Sequence, residues 1–131
     1  MHTMRKYDLK PRITVSEEDH QQLIALAGGG LTDAADVLLE EIERARVVPG
    51  KKLPQEVIRL GSLITYRPDN GEDRTVTLVY PAEANISENR ISVLTPVGTA
   101  LIGLAKGQSI TWMARDGARH VLSVIAVENP A

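Results

Sequence analysis

Cysteine and phenylalanine are both absent from the 131 residues, and the remaining aromatics are few: Trp112, Tyr7, Tyr66 and Tyr80. Without thiols the chain forms no disulfide, offers no thiolate nucleophile and builds no zinc–thiolate site. With so few rings, an apolar fraction of 43% must fill its core with aliphatic side chains. No apolar run approaches the length of about eighteen residues that would span a membrane. The opening MHTMRKYDLK lacks an apolar signal core. The simplest location is therefore the cytoplasm. Neither sign of charge dominates: the net charge is −2, with nine basic and ten acidic residues up to residue 60 and six and seven after it. That balance excludes a protein held on DNA or RNA mainly by phosphate contacts. His2, His20 and His120 are far apart and show no ligand spacing, so neither a metal site nor a cofactor is expected.

What is present divides into two patterns. Ser16 is placed to cap the amide of Asp19, with Glu17, Glu18 and Asp19 suiting the positive end of a helix. Leu23, Ile24 and Ala27 form its apolar stripe before Gly28-Gly29-Gly30 interrupts it. Thr32 caps a second predicted helix, in which Ala35, Leu38, Leu39, Ile42 and Ala45 recur at steps of three and four. Arg44 and Arg46 suit its C-terminal end, and Pro49-Gly50 stops it. The expectation is a short antiparallel hairpin of helices about 17 and 22 Å long. The triple glycine is an interhelical turn rather than a phosphate loop. No Gly-Lys-Ser/Thr follows it, and Asp33 would repel an anion.

After residue 60 the period changes to two. Residues 62–67 and 74–80 flank the turn signal Pro68-Asp69-Asn70-Gly71, a third run spans 91–95, and residues 110–115 and 119–127 flank Asp116-Gly117. Between the third and fourth runs, Thr95 caps a short helix with Pro96 at its first position. Val97, Ala100, Leu101 and Leu104 give that helix one apolar face with which to cover a sheet. The fold class is α+β: a helical hairpin within residues 1–53, then an antiparallel sheet with one covering helix over 54–131.

The stretch TPVGTALIGLAKGQSI, set between strands in this way, resembles the FKBP-like C-terminal domain of the bacterial Gre transcript-cleavage factors. Their pattern is approximately Ser-x-Asp-Ser-Pro-(Leu/Met)-x-x-Ala-Leu-(Ile/Leu)-Gly-x-x-x-Gly-Asp. Ser92, Thr95, Pro96, Ala100, Leu101, Ile102, Gly103 and Gly107 follow it, with Thr95 in place of Ser and Leu94 in place of the first Asp. RTVTLVYPAEA resembles the strand and turn that precede it. PRITVSEEDHQQL resembles the opening of the regulator of nucleoside diphosphate kinase (Rnk) family, Gre-like proteins with a shortened coiled coil. The resemblance extends over nearly the whole chain. It implies a monomeric, non-enzymatic partner of RNA polymerase that meets DNA only through the polymerase complex. Gre proteins hold polymerase with the globular domain and pass a long coiled coil into the secondary channel. Acids at its tip hold a second magnesium ion there, so that water cleaves backtracked RNA. In this chain the docking half is matched and the probe is short.

The resemblance places Ser92, Leu94, Thr95 and Pro96 near the surface that grips the polymerase rim; Leu94 either meets a rim helix or turns inward. Asp33 and Asp36, three residues apart near the hairpin turn, have two readings. They are tip acids like those of Gre proteins, or first-turn acids placed by the helix dipole. Arg44, Arg46, Lys51, Lys52 and Arg59 are either solvated helix-end cations or an electrostatic contact with an acidic partner. An FKBP-type peptidyl-prolyl isomerase is the weakest alternative, because its proline pocket is rich in aromatics and this half supplies only Tyr66, Tyr80 and Trp112.

Overall fold

The computed structural model describes residues 10–28, 32–69, 71–114 and 116–130. Strand β1 (Thr14–Ser16) runs directly into helix α1 (Glu17–Gly28), where Ser16 Oγ accepts the Asp19 N–H at 3.0 Å. Thr32 Oγ1 accepts the Ala35 N–H at 3.1 Å and opens α2 (Asp33–Glu43). At 1.5 Å per residue the two helices are about 18 and 17 Å long. The second helix ends sooner than its apolar spacing suggests. Arg44 is its last cap, and Arg46–Val48 forms strand β2, parallel to β1. Val47 and Val48 are β-branched and favour extended backbone. The Arg46 N–H donates to the Ile13 carbonyl at 2.8 Å instead of continuing the helix.

The second half is a five-stranded sheet of order β5-β4-β3-β7-β6. Its strands are β3 (Leu63–Pro68), β4 (Arg74–Val79), β5 (Arg90–Ser92), β6 (Ser109–Met113) and β7 (Arg119–Glu128). Neighbours are antiparallel except β4 and β5, which run parallel. Two short 3-10 turns, Pro81–Glu83 and Ile86–Glu88, carry the chain back to the start of β5. The expected third run, 91–95, is paired only as far as Ser92, because Val93–Thr95 turns into helix α3 (Pro96–Leu101). Of the two predicted turn signals, Asn70 lies outside the described residues, while Gly117 takes a left-handed φ of 83°.

Alternation along the strands separates the faces as the period of two requires. Ile64, Tyr66, Val76, Leu78, Ile110, Leu122 and Val124 are buried on one side. Thr65 and Thr75 share a hydroxyl hydrogen bond of 3.0 Å on the other, and Ser109 and Ser123 one of 2.6 Å. The largest fully buried side chains are all Ile or Leu, the aliphatic solution for a chain without phenylalanine. Helices and sheet share one apolar cluster, in which Ile13, Leu23, Leu38 and Ile42 join Ile58, Leu101, Leu104 and Ile110.

Gly103 sits where the two halves meet. Its carbonyl accepts the Thr14 N–H at 3.1 Å, and its own N–H donates to the Ile58 carbonyl at 3.0 Å. Its φ is +80°, and a Cβ here would lie 2.6 Å from that of Ile13. Only glycine fits. Nearby, Asp19 is 9% exposed, and burial pushes its carboxyl above the ordinary value against the pull of Arg59 and the Leu60 N–H. The Tyr80 hydroxyl donates to Gln22 Oε1, tying α1 to the residue that follows β4.

Candidate functional site

The segment from Ser92 to Thr99 is wound on itself by its own hydroxyls. Ser92 Oγ accepts the Leu94 N–H at 3.0 Å. The Ser92 carbonyl accepts both the Thr95 N–H at 3.1 Å and the Thr95 hydroxyl at 2.7 Å. Thr95 Oγ1 in turn accepts the Gly98 N–H at 3.0 Å and caps α3. Thr99 Oγ1 donates to the Val93 carbonyl at 2.7 Å. No Cβ fits at Gly98, where it would lie 2.1 Å from the Ser92 oxygen. The result is a preformed corner with Ser92 buried inside it and Leu94, Thr95 and Pro96 half-buried at its surface. Leu94, half-buried, packs against the core cluster from this position.

Asp33 and Asp36 are exposed in the first turn of α2. Gly29 and Gly30, the centre of the expected interhelical turn, lie outside the described residues. The structure separates the two acids from each other in one respect. Asp33 lines a cleft of about 610 Å3 that also contains Thr95 and Pro96, whereas Asp36 does not line it. The cleft brings one candidate acid together with two candidate docking residues, while Ser92 and Leu94 stay outside. Spacing in the sequence gives no hint of this, since the lining comes from α2, α3 and the far strand β6. The exposed apolar side chains Val37 and Met113 lie on its walls. Each would have been read from the sequence as one more position in a helical or alternating pattern.

The basic residues between hairpin and sheet sit in different surroundings. Arg44 donates to the Pro11 carbonyl at 2.9 Å and to Glu41 at 2.6 Å. Arg59 is half-buried beside Asp19, while Arg46, Lys51 and Lys52 are exposed. His120 lies 3.4 Å from Asp69 and against the Trp112 ring, with centroids 5.3 Å apart. No group of three potential metal ligands occurs among the described residues. No helix among them is long and apolar enough to cross a membrane.

An α+β chain with this corner at the start of a short sheet-covering helix is of the Gre C-terminal type. Residues 53–129 match the family described as "Transcription elongation factor, GreA/GreB, C-term". Residues 11–48 match the Rnk N-terminus, and the chain belongs to the regulator of nucleoside diphosphate kinase family. It is 36% identical to the "Regulator of nucleoside diphosphate kinase" of Escherichia coli strain K12, over 91% of this chain and 90% of that protein. It is also 36% identical to the transcription elongation factor GreA of Azorhizobium caulinodans, over 63% of this chain but 53% of that protein. Among solved structures, the "Prokaryotic transcription elongation factor GreA/GreB" of Nitrosomonas europaea superposes with a TM-score of 0.73 at 34% identity. That match covers 91% of this chain and 99% of the other. The chain is thus a Gre-like member of the transcription elongation factor families.

Proposed function

We propose that this protein is a non-catalytic regulator that docks on RNA polymerase near the secondary channel and competes there with Gre-type factors. The observation that carries the reading is the preformed corner at Ser92–Thr99 on a Gre-type sheet. Its hydrogen bonds hold Thr95 and Pro96 at the surface before any partner arrives, which lowers the ordering cost of binding. Residues 54–131 serve as the anchor and residues 1–53 as a shortened probe. The balanced charge argues that DNA is met only through the polymerase complex. The protein works in the cytoplasm as a monomer. It affects nucleoside diphosphate kinase levels through expression, the link suggested by its relative's name.

A second reading makes Asp33 and Asp36 magnesium-delivering acids for transcript cleavage. Helices of 12 and 11 residues argue against it, since carboxylates on so short a hairpin have little reach. Co-purification of the full chain with core RNA polymerase, with free duplex DNA as the control, tests the main reading. The expectation is retention on polymerase and weak, salt-sensitive retention on DNA. Tight DNA binding without polymerase association overturns it.

A further inference from the structure

The cleft bounded by α2, α3 and β6 has a volume of about 610 Å3, inside the range of about 300–1,000 Å3 typical of small-molecule sites. Much of its lining is apolar. Ala34, Ala100 and Ile110 contribute to it, together with Val37 and Met113, which are 48% and 54% exposed. One wall carries charge at two separated points. Asp33, Val37 and Glu40 follow one another at i, i+4 and i+7 on α2, so they share a face of that helix. A rise of 1.5 Å per residue sets the backbones of the two acids about 10 Å apart, with Val37 between them. Both acids are exposed, and neither is held by an ion pair or side-chain hydrogen bond among the described residues. Glu41, the third acid of the lining, is committed to Arg44 at 2.6 Å. Lys10 is the only cation of the lining among the described residues.

We infer that this cleft binds a linear aliphatic polyamine, an unbranched chain with an ammonium group at each end. An ammonium offers three donors and no acceptor, the complement of an uncommitted carboxylate. Its two ends meet Asp33 and Glu40, and the methylenes between them cover Val37 and Met113, removing both from water. The carboxylates reject nucleotides and fatty acids, whose charge is of the same sign. A neutral apolar ligand leaves both acids unused. A metal ion finds no group of three potential ligands among the described residues. The inference stands apart from polymerase docking, although Thr95 and Pro96 border both surfaces.

Titration calorimetry of the full-length protein at low salt tests this with three amines. Diaminooctane, with its amines at the two chain ends, spans the spacing of the acids; end-to-end diaminobutane is too short, and octylamine has a single ammonium. Diaminooctane should saturate the protein and bind about fivefold more tightly than either of the others. Asp33→Asn and Glu40→Gln, both at exposed positions, should each weaken it about fivefold. Asp36→Asn is the control, since it removes the same charge from the same helix at an exposed position that does not line the cleft. It should leave the affinity of diaminooctane unchanged. Absence of saturation overturns the inference, as does equal affinity of the three amines. Equal weakening by Asp36→Asn also overturns it, because the amine would then be a counter-ion of α2 only. No polymerase enters the titration, so its failure leaves the docking proposal intact, and the converse holds.

Discussion

Replacing Gly103 by alanine tests the junction between the two halves, and Gly107 supplies the control. Both glycines have left-handed backbones, φ +80° and +90°, but a Cβ at Gly107 meets nothing within 4 Å. Gly107→Ala therefore isolates the conformational cost, about 1–2 kcal/mol for a residue with a Cβ. A less flexible unfolded chain offsets that by about 0.4–1 kcal/mol. Gly103→Ala carries the same terms and adds a collision with Ile13, whose Cβ, Cδ1 and Cγ1 would lie 2.6, 3.1 and 3.2 Å away. Ile13 is fully buried and its carbonyl holds the Arg46 N–H at 2.8 Å, so it has nowhere to retreat. Overpacking of this kind costs about 1–3 kcal/mol. Gly103→Ala should thus lose about 1–4.6 kcal/mol in total, and exceed Gly107→Ala by about 1–3 kcal/mol. Urea denaturation followed by circular dichroism and by Trp112 fluorescence measures both, with unchanged m-values licensing the comparison. Two variants of equal stability would refute the packing of β1 onto the turn after α3.

Leu101→Ala, at a fully buried position under α3, should cost about 2–4 kcal/mol, and unchanged thermal and denaturant midpoints would place Leu101 outside the core. Thr95→Ala removes a hydroxyl that both caps α3 and bonds the Ser92 carbonyl, so a loss of about 1–2 kcal/mol is expected. Thr95→Ser should restore most of it, and equal stability of the two variants would contradict the role of the hydroxyl. Burial raises the Asp19 carboxyl above its ordinary value of 3.8, despite Arg59, so the folded chain keeps this proton where the unfolded chain has released it. Asp19 thus lowers stability as pH rises from about 3.8 through its folded value. Asp19→Asn should gain on the wild type across that window in denaturation at stepped pH; a flat difference, or one of opposite sign, contradicts the assignment.

Local signals were legible in the sequence, and non-local partners were not. The capping hydroxyls of Ser16, Thr32 and Thr95 lie three residues from the amides they satisfy, so a short window contains both partners. Strand alternation likewise carries its face with it, and the absence of phenylalanine foretold a core of Ile and Leu. Strand β2 was hidden because Ala45 extends the helical spacing of Ile42, while the partner that draws Arg46–Val48 out of the helix is β1, about thirty residues upstream. The parallel pairing of β4 with β5 was equally invisible, since proximity in sequence says nothing of direction after two 3-10 turns. Of the candidate site, the corner at Thr95 and Pro96 was readable from its cap and proline. Its neighbour across the cleft, Asp33, was not, because α2, α3 and β6 are distant in the chain and meet only in the fold.

The most direct test of docking without cleavage uses core RNA polymerase halted in a backtracked complex, a Gre protein as competitor, and two forms of this chain. One is the native sequence and the other carries Asp33→Asn with Asp36→Asn, which keeps side-chain size and removes both carboxylates. Displacement of the Gre protein and release of cleaved RNA are followed in the same reaction. Both forms should displace the competitor at similar concentrations, and neither should stimulate cleavage on its own. Cleavage by the native form that the double substitution abolishes would contradict the account, since the two acids would then be delivering metal-assisted chemistry from a hairpin of this length. Failure of either form to displace the Gre protein would contradict the docking itself.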